Sequence, residues 1–312
     1  MELIKPIAAL VVGFVLLIKG ADFFVDGSSQ VARSLKVPSL IIGLTIVAMG
    51  TSLPELAVSV RASMTGSNSL AVSNVIGSNL FNLLMVIGIC AIVKPVPSPK
   101  DILKRDMFWN IGVSILMLIF MIGLTIARYE GIILLAGIIT YIFVLVRSAL
   151  KSGAEDEGLK IIPIWLSIIY IIGGAAAIIF GGDLVVDNAS LIAENFGMSK
   201  TLVGLTIVAI GTSLPELVTS VVAAKKGNSG IAIGNAVGSS IFNILFILGI
   251  ASSLSPIAVD KDLLIDACIL IAVSIMAYAF AKTGESTSRL EGVIMVCCYC
   301  AYTAYIIARC YA

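Results

Sequence analysis

The sequence predicts an all-α membrane protein with ten transmembrane helices, arranged as two inverted repeats of five helices each. Three observations support this fold class. The chain of 312 residues is 59% hydrophobic and only 12% charged, with a mean hydropathy of +1.10, which lies outside the range of water-soluble domains. Apolar stretches of helix length recur from end to end, and the second half of the chain repeats the first.

Ten apolar stretches each suit a membrane-spanning helix, which needs about 20 residues. They are long and continuous, unlike the short alternating strands of a membrane barrel. The first stretch ends with Asp22 and Asp26 and has no small-residue cleavage site, so we expect a retained helix and not a signal peptide. The ten stretches are 6–26, 38–64, 70–93, 107–126, 129–148, 161–185, 199–225, 230–253, 262–281 and 289–310.

A shift of 161 residues superposes the two halves of the chain without a gap over a long stretch. The motif GTSLPEL therefore occurs at residues 50–56 and again at residues 211–217, and the same shift relates Asn74 to Asn235. The identical residues include polar ones inside apolar segments, which a duplicated scaffold without cargo does not explain. Inverted repeats are typical of transporters that hold a substrate between the repeats at mid-membrane.

The repeat divides the chain into three parts. Residues 1–149 form the first five-helix repeat, 150–160 a short cytoplasmic linker, and 161–312 the second repeat. Because five is odd, the second copy must enter the membrane from the opposite side, and the repeats are inverted. With the N-terminus outside, 13 Lys and Arg residues fall in cytoplasmic loops and 6 on the other side, which agrees with the positive-inside rule.

The charge pattern also sets the expected surroundings. We expect a multi-pass protein of the plasma membrane, and the charge pattern predicts that both termini lie outside the cell. A net charge of +1 gives no basic footprint for nucleic acid. We expect the lipid bilayer as the partner, no evident protein partner, and no cofactor.

Each motif places oxygen-bearing side chains on one helix face, because residues three and four apart lie together. Pro54 and Pro215 each remove a helix hydrogen bond, so both helices should kink and leave carbonyls free near their centres. The next helix of each half adds a serine and an asparagine one turn apart. These candidate residues are Thr45, Ala48, Thr51, Ser52, Glu55, Ser59, Ser78 and Asn82, and their repeat equivalents Thr206, Ala209, Thr212, Ser213, Glu216, Ser220, Ser239 and Asn243.

Glu55 and Glu216 are the two acidic members of this set, and we expect both to lie near the middle of their kinked helices. A charged side chain at mid-membrane costs roughly 2.5–3.5 kcal/mol on insertion scales. A divalent ion about 4 Å away attracts one carboxylate by roughly 8 kcal/mol at an effective dielectric of 20, before dehydration of the ion is subtracted. Binding a cation can therefore offset the cost. The alternative is that each glutamate is a protonated, hydrogen-bonded structural group.

The type of ligand favours a hard cation. Calcium accepts about 6–8 oxygen ligands in flexible geometry, which suits two glutamates, several hydroxyls and freed carbonyls better than the strict octahedron of magnesium. Sodium also prefers oxygen, so the same site could hold either ion in turn. The chain contains no histidine and no cysteine near the motifs, which argues against zinc, copper or iron.

At these residues the sequence resembles the sodium/calcium exchangers of the calcium/cation antiporter superfamily, of the prokaryotic type. Both copies of GTSLPEL and both GS-x-x-FN segments match the inverted alpha-repeats of that family. The resemblance implies secondary active exchange of Na⁺ for Ca²⁺, with Glu55 and Glu216 binding both ions. It also implies further ion ligands or residues at the centre of the site, namely Thr51, Ser52, Thr212, Ser213, Ser78, Ser239, Asn82, Asn243 and the carbonyls of Ala48 and Ala209.

Two further expectations come from the same resemblance. The first and sixth helices should slide as a pair across the other eight, with Asp22, Asp26, Asp183 and Asp187 near their ends. Some relatives, especially potassium-dependent ones, carry aspartate at one of the two asparagine positions. Both are asparagine in this chain, which argues against potassium co-transport.

Three alternatives remain at this point. A proton/calcium antiporter of the same superfamily would have similar carboxylates, although such members typically show a Gly-Asn-x-x-Glu core. A calcium-permeable channel would need no inverted repeat. An intramembrane hydrolase using Ser52 or Ser213 lacks a histidine base. The sequence therefore favours a transporter without enzymatic activity.

Overall fold

A computed structural model describes residues 4–64, 68–152, 163–196 and 209–311. Nearly all of these residues are helical. The twelve principal helical pieces are α1 Ile4–Ser34, α2 Ser39–Thr51, α3 Leu53–Met64, α4 68–93, α5 102–121, α6 Arg128–Ser152, α7 Ile164–Asn195, α8 Ala209–Gly211, α9 Leu214–Lys225, α10 Ser229–Leu254, α11 Lys261–Lys282 and α12 Arg289–Tyr311.

Seven of these helices, namely α1, α4, α6, α7, α10, α11 and α12, are long and apolar enough to cross a membrane. The bent pair of α2 and α3 would make an eighth span. The prediction of an all-helical protein is confirmed. Ten crossings in two inverted repeats remain a prediction, since α5 carries three charges at its start and part of the predicted segment 199–225 lies outside the described residues.

The first helix is longer than the sequence suggested. It continues to Ser34 instead of ending near residue 26, and α7 likewise continues to Asn195 instead of ending near residue 185. Hydropathy located only the apolar part of each helix, whereas the polar continuation of α1 is stabilised by contacts with other helices. Asp22 and Asp26 therefore lie within α1 and not at its end.

Helices α4 and α10 form the centre of the molecule. The most apolar 18-residue stretches of these two helices are 78% and 94% buried, whereas the corresponding stretches of the other membrane-length helices are at most 39% buried. Each helix contains a π-helical turn, at Phe81–Val86 in α4 and at Asn243–Leu248 in α10. A π turn inserts one extra residue and shifts the side chains that follow it, and such turns are frequent at functional sites.

Two short antiparallel strand pairs join the halves of the chain outside the helices. Strand β1 (Val96–Pro97) pairs with β4 (Ser286–Thr287), and β2 (Thr125–Ile126) pairs with β3 (Ile257–Ala258). Moving each strand to its repeat equivalent converts one pair into the other, in the same register. The internal similarity of the sequence is therefore present in the connections as well as in the helices.

Helices α1 and α7 pack closely against each other along their length. A Cβ atom added at Gly20 would lie 2.9 Å from the Gly174 carbonyl oxygen, and one added at Gly181 would lie 2.8 Å from the carbonyl oxygen of Gly13. Larger side chains would separate the two backbones, so small residues are required along this seam. Outward-facing positions on both helices are exposed, and the pair lies at the edge of the bundle.

Candidate functional site

The two GTSLPEL motifs fold as breaks between helices. Ser52 has non-helical backbone angles of φ −85° and ψ 11°, and the helices on either side of it form an angle of 50°. Ser213 has the corresponding angles of φ −95° and ψ 5°. Pro54 and Pro215 each occupy the second position of the new helix, where no backbone N–H is needed.

This geometry corrects the prediction that both glutamates lie in the middle of a kinked helix. Glu55 and Glu216 instead lie in the first turns of α3 and α9. The partial positive charge at a helix N-terminus favours a carboxylate there. The break therefore supplies part of the stabilisation that an acidic side chain needs at this depth.

The glutamates meet through crossed hydrogen bonds between the halves of the chain. The Ser52 hydroxyl donates to Oε1 of Glu216 over 3.0 Å, and the Ser213 hydroxyl donates to Oε1 of Glu55 over 3.0 Å. Glu55 is 1% exposed and Glu216 is fully buried. The sequence predicted that both motifs would converge, and the structure brings these four side chains together.

Several buried oxygen atoms at this place have no hydrogen-bond partner among the described residues. They are Oε2 of Glu55, Oε2 of Glu216, Oδ1 of Asn82, Oδ1 of Asn243 and Oγ1 of Thr212. A buried polar atom without a partner costs about 1–3 kcal/mol. A set of carboxylate, amide and hydroxyl oxygens is the coordination that calcium prefers, so these residues fit a hard cation.

The central helices supply the remaining predicted side chains. Asn82 and Asn243 are fully buried within the π turns of α4 and α10. Ser78 is 4% exposed, and the fully buried Ser239 hydroxyl lies 3.4 Å from the carbonyl oxygen of Ala48. Neither amide atom of Asn82 has a hydrogen-bond partner in the described chain, which marks this side chain as available to a ligand.

The remaining predicted residues lie just before the breaks. The Thr51 hydroxyl lies 3.0 Å from Oδ1 of Asn235 and 3.1 Å from the carbonyl oxygen of Val47. The Ala48 carbonyl accepts a hydrogen bond from the Ser52 backbone over 3.1 Å. The hydroxyls of Thr51 and Ser239 also lie 3.3 Å and 3.4 Å from this oxygen. Ala209 begins α8.

Thr45 and Thr206 are the first candidate residues of the two halves, and only Thr45 lies among the described residues. Thr45 donates its hydroxyl proton to the carbonyl oxygen of Ile41 over 2.6 Å. It therefore has a partner within its own helix. Its repeat equivalent, Thr206, lies outside the described residues.

Sequence reasoning missed a pair of asparagines that hold the broken helices in place. The Asn74 amide donates to the Ser59 hydroxyl over 3.0 Å, and the equivalent Asn235 amide donates to Ser220 over 2.9 Å. The Asn235 amide nitrogen also lies 3.2 Å from the Glu216 carbonyl oxygen. Their identity at the 161-residue offset was the available signal, but it does not distinguish a positioning residue from an ion ligand.

Carboxylates alone cannot complete a metal site here. In the described part of the chain, no group of three His, Cys, Asp or Glu side chains comes together. Any cation held between Glu55 and Glu216 would therefore need neutral oxygens as its other ligands. The hydroxyls and amides described above are the groups that could provide them.

Comparison with known proteins identifies the family. The family model described as sodium/calcium exchanger protein matches residues 5–147 and again residues 166–308. The chain belongs to the sodium/calcium exchanger family. The two matched stretches start and end at repeat-equivalent positions, so each half separately resembles the same family unit.

Individual relatives agree with this assignment over almost the whole chain. A putative antiporter, CaxA of Alkalimonas amylolytica, is 37% identical over 94% of this chain and 96% of its own length. The sodium/calcium exchanger MaX1 of Methanosarcina acetivorans is 32% identical over 94% of this chain and 96% of its own. A solved structure of the sodium-calcium exchanger NCX_Mj, soaked with zero Na⁺ and Ca²⁺, superposes with a TM-score of 0.86 at 30% identity and covers 97% of this chain and 99% of that one.

These relatives establish the general class of the protein. It is a multi-pass membrane protein and a cation antiporter of the sodium/calcium exchanger family, a transporter and not an enzyme. The hydrolase considered from the sequence is therefore wrong. The serines of both motifs instead hydrogen-bond the two buried glutamates.

Proposed function

We propose that this exchanger-family protein moves Na⁺ and Ca²⁺ in opposite directions across the plasma membrane, by alternating access to one site between Glu55 and Glu216. The observation that carries the proposal is the crossed pair of hydrogen bonds from Ser52 to Glu216 and from Ser213 to Glu55. Each half of the chain contributes one acidic side chain and one hydroxyl to the same buried place. A cation there would be held by both halves at once.

The charge of the site supports exchange of one ion species for another. Two carboxylates balance the charge of one Ca²⁺ ion or of two Na⁺ ions. Glu55 and Glu216 are the acidic residues of this site, and both central positions of the π turns are asparagine. Binding of both species in full would leave excess positive charge in a low-dielectric interior, which is costly. Calcium and sodium should therefore compete.

The ligand roles that we propose are those that the family resemblance implies. We assign Glu55 and Glu216 to both ions, and the hydroxyls of Thr51, Ser52, Thr212 and Ser213 to Na⁺ with the carbonyls of Ala48 and Ala209. Ser78 and Ser239 would complete the coordination, and Asn82 and Asn243 would line the centre. The unpartnered oxygens of both glutamates and both central asparagines support this assignment.

The architecture that alternating access needs is part of the proposal. We infer ten membrane crossings in two inverted repeats, with both termini outside. Support comes from the strand pairs β1–β4 and β2–β3, which exchange under the repeat shift, and from the two matches to one family model. The edge pair α1–α7, which packs through glycine contacts, would be the unit that moves.

Transport into proteoliposomes tests the proposal and its rival together. Purified protein is reconstituted, and uptake of radioactive calcium is measured under a sodium gradient, under a pH gradient, and with or without K⁺. We expect uptake only when Na⁺ is higher inside, with no requirement for K⁺. Uptake driven by the pH gradient alone would identify the protein as a proton/calcium antiporter, and uptake without any counter-ion would indicate a channel.

A further inference from the structure

Helix α1 is joined to the end of α9 by a cluster of polar contacts that the ion site does not use. The Lys226 ammonium lies 2.8 Å from Oδ1 of Asp26 and 3.3 Å from Oδ1 of Asp22, and it donates to the Asp22 carbonyl oxygen over 3.0 Å. The Asn228 amide donates to the Ser29 hydroxyl over 3.0 Å. Both contacts cross from one half of the chain to the other.

The turn that carries these donors has a fixed backbone. Lys226 closes α9 by a bond from its N–H to the Val222 carbonyl oxygen, and the Asn228 N–H reaches the Ala223 carbonyl oxygen over 2.9 Å. Gly227 between them has φ +82°, a conformation that favours glycine. Opposite the turn, Asp22 and Asp26 are one helical turn apart and face it together. The two sides of the contact are therefore preorganised.

The packing of the two halves is not equal in this structure. Helix α1 packs along α9, whereas α7 makes no comparable contact with α3 among the described residues. The face of α3 is open, and a groove of about 630 Å³ lies along it, lined by Leu53, Leu56, Val60 and Arg61 together with Ile250. Under the repeat shift, the groove residues of α3 correspond to Leu214, Leu217 and Val221 of α9. These residues are half-buried, and α9 is the helix against which α1 packs.

The sequence does not repeat the polar contact in the other half. The residue equivalent to Lys226 is Thr65, while Asp183 and Asp187 are the equivalents of the two aspartates. A conformation in which α7 covered α3, and α1 left α9, would therefore have no lysine at this position. The basic residue of the groove, Arg61, lies one helical turn earlier, where α9 has Val222. The contact strengthens one of two otherwise related arrangements.

We infer that Lys226, Asp22 and Asp26, together with the Asn228–Ser29 bond, form an ionic latch that holds α1 against α9. The latch biases the protein toward the conformation of this structure and against the one in which α7 covers the α3 groove. The inference rests on the proposed alternating access. Lys226 is 28% exposed and the aspartates are 34% and 51% exposed. Ion pairs of this exposure change an equilibrium by about two- to fivefold.

A distance measurement by electron paramagnetic resonance tests the latch. Spin labels are attached at Met64→Cys on α3 and Leu191→Cys on α7, both exposed positions, after replacement of the six native cysteines. Closure of α7 over the groove should shorten this distance. We expect Lys226→Met, and separately the pair Asp22→Asn with Asp26→Asn, to increase the short-distance population about two- to fivefold.

Lys225→Met is the matched control, since it removes the same charge from the neighbouring exposed position. It should leave the distance distribution unchanged. Combining Lys226→Met with the two aspartate changes should add little to the aspartate pair alone, because both remove the contact with Lys226. The aspartate pair also removes the 3.8 Å contact between Asp22 and the exposed Lys19. Equal effects of Lys225→Met and Lys226→Met would overturn the latch. So would additive effects of the lysine and aspartate changes, or the same single distance in every variant.

The measurement also separates the latch from the proposed function. The distances are measured without Na⁺ or Ca²⁺, so they do not depend on transport. A shifted distance distribution in a protein that lacks sodium-driven calcium uptake would support the latch and refute the exchange. Sodium-driven calcium uptake by the parent protein, together with an unchanged distance distribution in Lys226→Met, would support the exchange and refute the latch. If Lys226→Met is poorly folded, the aspartate pair answers the same question from the other side of the contact.

Discussion

Ser52 donates its hydroxyl proton to Glu216, a residue 164 positions later in the chain, over 3.0 Å. The bond joins the break between α2 and α3 to the first turn of α9, and its repeat equivalent runs from Ser213 to Glu55. Neither glutamate can therefore lose its position without disturbing the other half of the protein. The two halves share one acidic site.

Removal of either acid tests this shared site. Glu55→Gln and Glu216→Gln each delete one of two buried charges while keeping the shape of the side chain. We expect each change to lower calcium affinity by at least about tenfold, which corresponds to about 1.4 kcal/mol. Sodium-driven calcium uptake should fall to background. Calcium titration by calorimetry, together with uptake into proteoliposomes, provides the measurement.

Glu285→Gln is the control for this pair, because Glu285 is an exposed glutamate in the loop before α12. It should bind and transport calcium like the parent protein. Wild-type uptake in either buried variant would remove that glutamate from the mechanism.

The crossed hydroxyls should be equivalent. Ser52→Ala and Ser213→Ala each remove one 3.0 Å hydrogen bond to a buried carboxylate. Hydrogen bonds to charged groups contribute about 1.5–3 kcal/mol. We expect similar losses of sodium affinity in the two variants, measured as the sodium concentration that half-displaces calcium. A large loss in one variant with no change in the other would contradict a site shared by both halves.

The central asparagine sets how much charge the site can hold. Asn82→Asp would add a third carboxylate where both amide atoms of Asn82 lack partners in the described chain. We expect tighter calcium binding and slower exchange, because the third charge also opposes release of the ion. Equilibrium calcium binding and uptake rates measured on the same preparation would show both effects. Weaker calcium binding in Asn82→Asp would argue that this side chain does not face the ion.

Asn79→Asp provides the contrast to that variant. It places the same charge one turn earlier on α4, but it removes the donor that bonds the Ser240 carbonyl oxygen over 3.0 Å. The lost bond should cost about 1–3 kcal/mol of folding stability. Thermal unfolding should therefore separate the two changes.

The glycine seam between α1 and α7 should tolerate no side chain. In Gly181→Ala the new Cβ would lie 2.8 Å from backbone atoms of Gly13 and Leu17, so the helices must move apart. Overpacking of this kind costs about 1–3 kcal/mol, and uptake should fall with it. Gly173→Ala lies on the same helix with no atom within 4 Å, and it should unfold no earlier than the parent protein. Equal unfolding temperatures for both variants would contradict the close seam.

The sequence predicted the parts of the structure that are encoded in repeated local patterns. Two copies of a proline-containing motif with a carboxylate, at a fixed offset, were sufficient to bring Glu55 and Glu216 into one site. The helix break itself was only half predicted. A proline was expected to kink a helix, but Ser52 and Ser213 leave the helical conformation and start a new helix.

Features that depend on packing between distant segments could not be predicted from the sequence. The π turn at Asn243–Leu248 changes helical register inside an apolar run that gives no local signal. The bond from Asn74 to Ser59 requires two helices to meet at a particular angle. The extension of α1 to Ser34 depends on contacts such as that between Ser29 and Asn228, which hydropathy cannot detect.

Equilibrium binding of radioactive calcium to the purified protein, titrated with Na⁺, tests the central claim most directly. If Glu55 and Glu216 hold one cation between them, the protein should bind one Ca²⁺ per chain. Sodium should displace it completely, and either glutamine variant should abolish the binding. Two calcium ions per chain, or calcium that stays bound at saturating Na⁺, would contradict a single site shared by the two halves.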